Sequence, residues 1–231
     1  MRRPVILGLI VGSGLAVMAV FAQAPPQGAA PANAPRFPPV DSIDSVATNL
    51  YRVPGQGGNT AVWVRGDGVL LVDTKLENNG QAILDQVRKV TDKPITHIVN
   101  THTHGDHTGS NSFFPANVEI VTQANTSANM AKMPAFQSAT GKVGLPDRTF
   151  TDKLTLFSGR ESVDLYYFGA GHTNGDAFVA FPAARVLHAA DVFSGKNLPL
   201  LDANNGGSAA EIAGTLEKAA AGVKNIDTVI T

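Results

Sequence analysis

The chain has 231 residues, which is enough for one large domain or two small ones. Its formal net charge is −1, with 43% hydrophobic and 16% charged residues, so it has the composition of a globular protein and no basic surplus that would favour nucleic acid or an anionic membrane. It contains no cysteine, which excludes disulfides, thiolate metal ligands and a cysteine nucleophile. A bound metal ion would therefore depend on imidazole and carboxylate groups.

The first residues have the pattern of an export signal. Arg2 and Arg3 precede an apolar run that ends in small residues at Ala22, which predicts a secretory signal peptide over residues 1–22. The alternative is an uncleaved anchor, because about 20 apolar residues suffice to cross a bilayer. Residues 23–40 are rich in Ala and Pro and are interpreted as a linker. We expect a periplasmic or secreted protein with no stable membrane association after signal removal.

The folded domain is predicted over residues 41–231, and it begins with short strands between glycine-rich turns. A helix with one apolar face follows over 77–90, and 95–100 is a short apolar run typical of a buried strand. The remaining predicted strands are 49–53, 60–65, 69–73, 118–122, two or more within 148–168 around a turn at 158–159, 177–181, 185–189 and one that begins at 227. The remaining predicted helices are 124–133 and 208–221, the second with a capping-box pattern at its start. Hairpins followed by alternating strands and helices predict an α/β sandwich with mixed sheets.

The stretch THTHGDHTG directly follows the predicted strand over 95–100. It contains the pattern H-x-H-x-D-H, formed by His102, His104, Asp106 and His107. Side chains alternate along an extended segment, so His102 and His104 point the same way, and Gly105 then permits a turn towards a second ion. Imidazole and carboxylate groups suit zinc, manganese or iron. A histidine-rich surface loop is the alternative, but the apolar strand before the cluster and its spacing favour a metal site at a strand end.

Two further segments supply candidate ligands. His172 lies in GAGHTNGD, a glycine-rich loop after a predicted strand, and is a candidate metal ligand. Asp191 lies in VLHAADVF just beyond another strand, where a carboxylate can bridge two ions. His188 and His97 lie inside predicted strands and are interpreted as structural.

Two more carboxylates are candidates for supporting roles. Asp73 ends the strand VLLVDT and is a candidate acceptor for the imidazole of a metal ligand. Asp176, in the same loop as His172, is a second candidate for this role.

These four segments, in this order, resemble the metallo-β-lactamase superfamily, whose fold is an αββα sandwich and whose members are zinc-dependent hydrolases. The resemblance extends from about Asn49 to Thr231. It implies that a first metal is bound by His102, His104 and His172, that a second is bound by Asp106 and His107, and that Asp191 bridges them. Two zinc ions are expected in the full-length protein, with iron or manganese as alternatives.

The chain departs from the family pattern in one respect. Family members take a last histidine for the second metal from a GHG segment after a late strand, and this sequence has no histidine after His188. The expectation is a domain that is incomplete at its C-terminal end, without the closing strand and helix of its second half.

The resemblance implies a hydrolase that acts on a small molecule. A hydroxide that bridges the metals would attack a carbonyl (lactone, thioester or lactam) or a phosphoester, with Asp106 orienting it and accepting its proton as the catalytic residue. One alternative is a true β-lactamase, although such enzymes often have Cys or Ser where this chain has Asp191. A second is a mononuclear iron dioxygenase of the persulfide type, which would use His102, His172 and Asp191. A third is a non-catalytic metal-binding fragment.

Overall fold

The computed structural model describes residues 37–231, so the predicted signal peptide over 1–22 lies outside the described residues. Within this range no helix combines the length and the apolar character needed to cross a bilayer. Residues 37–40, the end of the predicted linker, pack on the domain, because Gln56 Nε2 donates a hydrogen bond to the Phe37 carbonyl and Gln56 N donates one to the Pro38 carbonyl.

Strands and helices alternate along most of the described chain. The strands are β1 (Asp44–Ala47), β2 (Leu50–Val53), β3 (Thr60–Val64), β4 (Val69–Val72), β5 (Ile95–Asn100), β6 (Glu119–Gln123), β7 (Arg148–Phe150), β8 (Lys153–Leu156), β9 (Val163–Tyr166), β10 (Phe178–Phe181), β11 (Val186–His188) and β12 (Thr228–Ile230). The α-helices are α1 (Gly80–Val87), α2 (Gly105–Thr108), α3 (Ala124–Met130) and α4 (Ile212–Gly222). Short 3₁₀ turns cover Asn111–Phe113, Pro134–Phe136, Gly141–Gly144, Gly159–Glu161, Pro182–Ala184, Ala190–Val192 and Ala203–Asn205.

The strands form two mixed sheets. The first has the order β1-β2-β3-β4-β5-β6-β7, in which β1 to β4 pair antiparallel and β4 to β7 pair parallel. The second has the order β12-β11-β10-β9-β8 and is antiparallel except for the parallel pair of β11 and β12. The predicted fold class, an α/β sandwich of two mixed sheets flanked by helices, is confirmed.

The core lies between the sheets and on their outer faces. Along β4, Leu70 and Val72 join the cluster between the sheets, whereas Val69 and Leu71 face the layer that contains α1. This alternation follows from the two-residue period of a strand, and both faces of β4 are covered, which explains its continuous apolar sequence. On the outer face of the second sheet, Phe178 packs with residues of α4. Each fully buried side chain of this kind contributes about 1.5–3 kcal/mol of transfer free energy.

All three predicted helices are longer than the observed ones. The helix predicted over 124–133 ends at Met130. The helix predicted over 77–90 is shorter, because Asn78 has a left-handed backbone (φ 66°) just before α1 and the chain leaves the helix as a turn after Val87. The helix predicted over 208–221 begins only at Ile212. Ser208 Oγ does accept a hydrogen bond from Glu211 N at 3.3 Å, but as part of a turn that precedes α4. The predicted strands over 148–168 are observed, with β7 in the first sheet and β8 and β9 in the second.

The two sheets approach each other where the histidine-rich segment leaves β5. Ala177 N, just before β10, donates a 2.7 Å hydrogen bond to the carbonyl of Thr101, just after β5. The segments that follow β5 and β11 and the segment that precedes β10 therefore meet at one edge of the sandwich.

Candidate metal centre

Three imidazoles converge at this edge. His102 and His104 follow β5, and His172 comes from the loop between β9 and β10. His104 Nδ1 lies 3.1 Å from His102 Nε2 and 2.9 Å from His172 Nε2. A tetrahedral zinc ion with Zn–N bonds of about 2.0–2.1 Å holds its nitrogens roughly 3.3 Å apart, so the three rings could hold one ion with little movement.

A second group shares His102 and adds His107 and Asp191. His107 lies in α2, and Asp191 lies in the 3₁₀ turn after β11. His107 Nε2 is 3.2 Å from Asp191 Oδ1, yet it is buried and has no hydrogen-bond partner of acceptable geometry. A buried polar atom without a partner is costly, and a metal ion at this position would satisfy it. The donor set therefore fits a cation.

Asp191 extends from the second group towards the first. Its Oδ2 lies 3.6 Å from His172 Nε2, while its Oδ1 faces His107. Burial opposes ionisation of Asp191, but the close approach and the charge of His107 outweigh burial and lower the pKa of the carboxyl. An ionised carboxylate in contact with both groups is the arrangement expected of a bridging ligand.

Asp106 is placed differently from the other predicted ligands. Its Oδ2 lies 3.8 Å from His107 Nε2, its side chain is 30% exposed, and it belongs to neither group of converging donors. Its backbone is fixed by the loop between β2 and β3, because Gly58 N donates to the Asp106 carbonyl at 3.1 Å. Asp106 thus lies at the mouth of the site.

Burial and neighbouring charges shift the pKa values of His102 and His107 in opposite directions. His102 is 1% exposed, and burial, together with the neighbouring histidines, holds the pKa of its imidazole well below the ordinary value. A neutral imidazole is the form that binds a metal. Burial also acts to lower the pKa of His107, but the carboxylates of Asp73 and Asp191 outweigh it and raise the pKa. The position of His107 Nε2 therefore attracts a cation.

Asp73 orients the His107 ring, as the sequence predicts. It is fully buried, and its carboxylate accepts hydrogen bonds from Thr101 N at 2.8 Å, Thr101 Oγ1 at 2.7 Å and His107 Nδ1 at 2.7 Å. Because Nδ1 makes this bond, the other ring nitrogen of His107, Nε2, faces Asp191. Such a carboxylate–histidine pair fixes the ring and increases its basicity as a ligand.

Two orienting contacts are not predicted from the sequence. His104 Nε2 lies 2.7 Å from Asp202 Oδ2, and this interaction with His104 is the main reason why the pKa of Asp202 is lowered to about 2. The Leu200 carbonyl accepts a hydrogen bond from His172 Nδ1. The sequence DANNG is typical of a turn, and Asp202 does accept a hydrogen bond from Asn204 N. None of its sequence neighbours indicates that the carboxylate also faces a histidine.

The remaining candidates lie outside both groups. Asp176 accepts hydrogen bonds from Thr173 N and Oγ1 rather than from a ligand imidazole, and burial raises its pKa to about 6. His188 is buried in β11 with Nε2 2.9 Å from the Asn59 carbonyl, and His97 lies in β5 with Nε2 3.2 Å from a Glu119 oxygen. Both placements agree with the structural roles predicted for these histidines.

A buried lysine supports the loop that covers the second group. Lys75 is fully buried, and its Nζ donates to the carbonyls of Val53 at 2.7 Å and Gly58 at 2.8 Å. A Cβ on Gly58 would lie 2.2 Å from His107 Cε1, so only glycine permits this approach. Lys75 therefore holds the loop between β2 and β3 against the His107 ring.

Lys75 should make the stability of the metal-free protein depend on pH. Burial lowers its pKa to about 7, whereas the ordinary value is 10.5. Between these values the unfolded chain binds the proton that the folded chain has released, so Lys75 contributes a rise of the free energy of unfolding with pH, by at most about 1.4 kcal/mol per pH unit. The raised pKa of His107 contributes a fall over the same range, so the contribution of Lys75 is measured as a difference between variants. Urea titrations with a chelator between pH 7 and pH 10 should show that the stability of the wild type relative to Lys75→Met increases with pH, whereas its stability relative to Lys89→Met, at an exposed position, stays constant. Parallel profiles for all three proteins would contradict this expectation.

Comparison with known proteins places this geometry in a family. The family model of the metallo-β-lactamase superfamily matches residues 54–229, which is more than half of the chain. The metallo-β-lactamase IND-1 of Chryseobacterium indologenes is 32% identical over 130 residues, which cover 56% of this chain and 52% of that protein. A metallo-β-lactamase type 2 of Bacillus sp. (strain 170) is 26% identical over 121 residues, which cover 52% of this chain and 44% of that protein. The chain spans about half the length of these curated relatives.

Solved structures agree at the level of the fold. The DIM-1 metallo-β-lactamase superposes with a TM-score of 0.68 at 17% identity, covering 84% of this chain and 89% of that one. A metallo-β-lactamase from Pontibacter korlensis gives a TM-score of 0.65 at 18% identity, covering 81% and 88%. With two sheets, two groups of converging donors and a family model that matches most of its length, the chain belongs to the metallo-β-lactamase superfamily.

Proposed function

We propose that this protein is an exported, zinc-dependent hydrolase that adds water to the carbonyl group of a small molecule. The observation that supports this most directly is the pair of donor groups that share His102 and are both reached by Asp191. Two ions held this close together would face one open cleft. The predicted signal peptide over residues 1–22 supports export to the periplasm or the exterior.

The proposed chemistry divides among the residues of the site. Zinc, when bound, polarises a carbonyl and lowers the pKa of coordinated water towards about 7. His102, His104 and His172 would hold the first ion, and His107 and Asp191 would hold the second. Asp106, partly exposed at the mouth, is proposed to orient the attacking water and to accept its proton. Asp73 and Asp202 keep His107 and His104 in their ligating orientations.

Metal removal and reconstitution test this proposal. We expect that chelation abolishes hydrolysis of esters, thioesters or lactones and that added Zn²⁺ restores it, with two equivalents bound at saturation. Asp106→Asn should retain the metal but lose roughly 10²-fold or more in kcat, in line with the loss of a general base. Zinc-loaded protein that binds stoichiometric metal yet hydrolyses none of these substrates would indicate a metal-binding protein without this activity.

A second candidate is hydrolysis of β-lactams. Both curated relatives carry the name metallo-β-lactamase, which supports including a chromogenic cephalosporin among the substrates. Asp191 favours the ester-type substrates, because family members that hydrolyse β-lactams often carry Cys or Ser at the corresponding position. If the cephalosporin were turned over faster than every ester, thioester and lactone, the β-lactamase candidate would replace the first. One bound iron with thiol-dependent oxygen uptake would instead indicate the dioxygenase alternative.

A further inference from the structure

The cleft beside the metal-binding groups has one polar side and one apolar side. It has a volume of about 390 Å³. Its polar side consists of His104, Asp106, His172 and Asp191, and its apolar side consists of Phe37, Leu76 and Leu200. The apolar side chains come from three separate segments of the chain. We call these three residues the apolar wall.

Gln56 fixes the first two residues of the apolar wall. Its Nε2 donates to the Phe37 carbonyl at 3.2 Å and its backbone N donates to the Pro38 carbonyl at 2.9 Å, while its own carbonyl accepts from Leu76 N at 3.1 Å. The strap formed by residues 37–39 also passes very close to Gly55, where a Cβ would lie 2.2 Å from the Pro39 carbonyl oxygen. Gln56 therefore fixes the positions of Phe37 and Leu76 relative to each other and to the loop between β2 and β3, which covers His107.

Leu200 is fixed to the metal site from the other side. Its carbonyl accepts a hydrogen bond from His172 Nδ1, so its backbone moves with a predicted metal ligand. Its side chain is nevertheless 74% exposed. A large apolar side chain that is exposed at a cleft and tied to a reactive centre is a contact for an apolar ligand, since covering it releases water from its surface.

The charge of the cleft limits the ligand further. Among the described residues that line it, none is Lys or Arg, and Asp106 and Asp191 contribute carboxylates. Zinc ions bound at the polar side would attract an anionic group there, but an anionic group at the far end of the apolar wall would be desolvated without a cationic side chain to pair with it. A neutral, apolar group would incur no such cost.

From these contacts we infer that the substrate is a neutral ester, thioester or lactone whose acyl part carries an apolar chain that lies against Phe37, Leu76 and Leu200. The inference rests on the proposed hydrolase function and adds the class of substrate. Water adds to the carbonyl carbon, the C–O or C–S bond breaks, and the leaving alcohol or thiol takes up a proton. The acyl chain would be recognised by the apolar wall while its carbonyl faces the metals.

The test uses the zinc-loaded full chain and thioesters with acyl chains of four and eight carbons. Burial of one methylene contributes about 0.8 kcal/mol, or nearly fourfold in affinity, so even partial burial of four methylenes should raise kcat/KM at least tenfold. Phe37→Ala and Leu200→Ala should each reduce this gain at least threefold, and the loss should appear in KM. Leu198→Ala is the matched control, because Leu198 is 96% exposed on the same loop but does not line the cleft.

A second readout separates this inference from the proposed function. Calorimetric binding of N-methyloctanamide, a neutral amide of the same chain length, should be weakened at least fivefold by Phe37→Ala and unchanged by Leu198→Ala. In the metal-free protein, where no zinc can bind a carboxylate, octanedioic acid monomethylamide should bind at least tenfold more weakly than the neutral amide. Binding that depends on Phe37 without any hydrolysis would refute the hydrolase but retain the apolar wall. Hydrolysis without dependence on chain length, or a preference for the carboxylate, would overturn the inference and leave the hydrolase.

Discussion

Replacing His102 with alanine should remove the first metal ion. His102 converges with His104 and His172 and also lies beside His107 and Asp191, but one imidazole nitrogen can bind only one ion. We therefore expect His102→Ala to bind one equivalent of zinc fewer and to lower kcat/KM of the zinc-loaded protein by roughly 10³-fold or more, which corresponds to about 4 kcal/mol of transition-state stabilisation. Metal content after dialysis against a defined Zn²⁺ concentration, measured by mass spectrometry, checks the first part of this expectation.

The control for this variant is His97→Ala. His97 lies on the preceding strand, faces Glu119 and belongs to neither group, so its removal should leave the metal content unchanged. Retention of two full equivalents of zinc by His102→Ala would show that His102 is not a metal ligand. That result would contradict the geometry on which the proposed function rests.

Replacing Asp73 with alanine should have the largest effect on stability. The carboxylate is fully buried and accepts three hydrogen bonds, two from Thr101 and one from His107. Its removal leaves these donors without a partner, and His107 loses the carboxylate that favours its charged form. Loss of one partner of a buried ion pair is worth about 3–5 kcal/mol. The free energy of unfolding, measured by urea titration with a chelator present, should fall by an amount of this order.

Asp227→Ala provides the comparison for an exposed carboxylate. Asp227 also pairs with a cation, Arg185, but both side chains are more than half exposed, so the change should be within about 1 kcal/mol. Equal losses for the two variants would mean that burial of Asp73 contributes nothing. In addition, Asp73→Ala should bind zinc more weakly at the His107 group than at the His104 group, because only His107 loses its orienting partner.

The fold and the convergence of the histidines were predictable from the sequence because their signals are local. H-x-H-x-D-H occupies six positions, and Asp73 and Asp191 were identified by their places at strand ends. Asp202 was missed because its contact with His104 spans 98 positions and its own neighbours predict only a turn. The Leu200 carbonyl that binds His172 was inaccessible, since any residue supplies a carbonyl. The burial of Lys75 was also missed, because lysine after a strand is usually exposed, and only the tertiary structure brings the Val53 and Gly58 carbonyls to its ammonium group.

The meeting of the two sheets at the site has a consequence for the whole sandwich. His102, His104 and His107 follow a strand of one sheet, whereas His172 and Asp191 flank strands of the other, and a backbone hydrogen bond from Ala177 to Thr101 joins the two sheets at this edge. A slip of one sheet against the other by a fraction of an ångström would therefore spread the converging donors. Leu70, Val72, Val179 and Phe181 belong to the cluster between the sheets. Their packing therefore determines the distances between the converging donors. A substitution in the interior of the sandwich would then change the metal affinity of the site. In return, a bound ion would hold the two sheets together at this end.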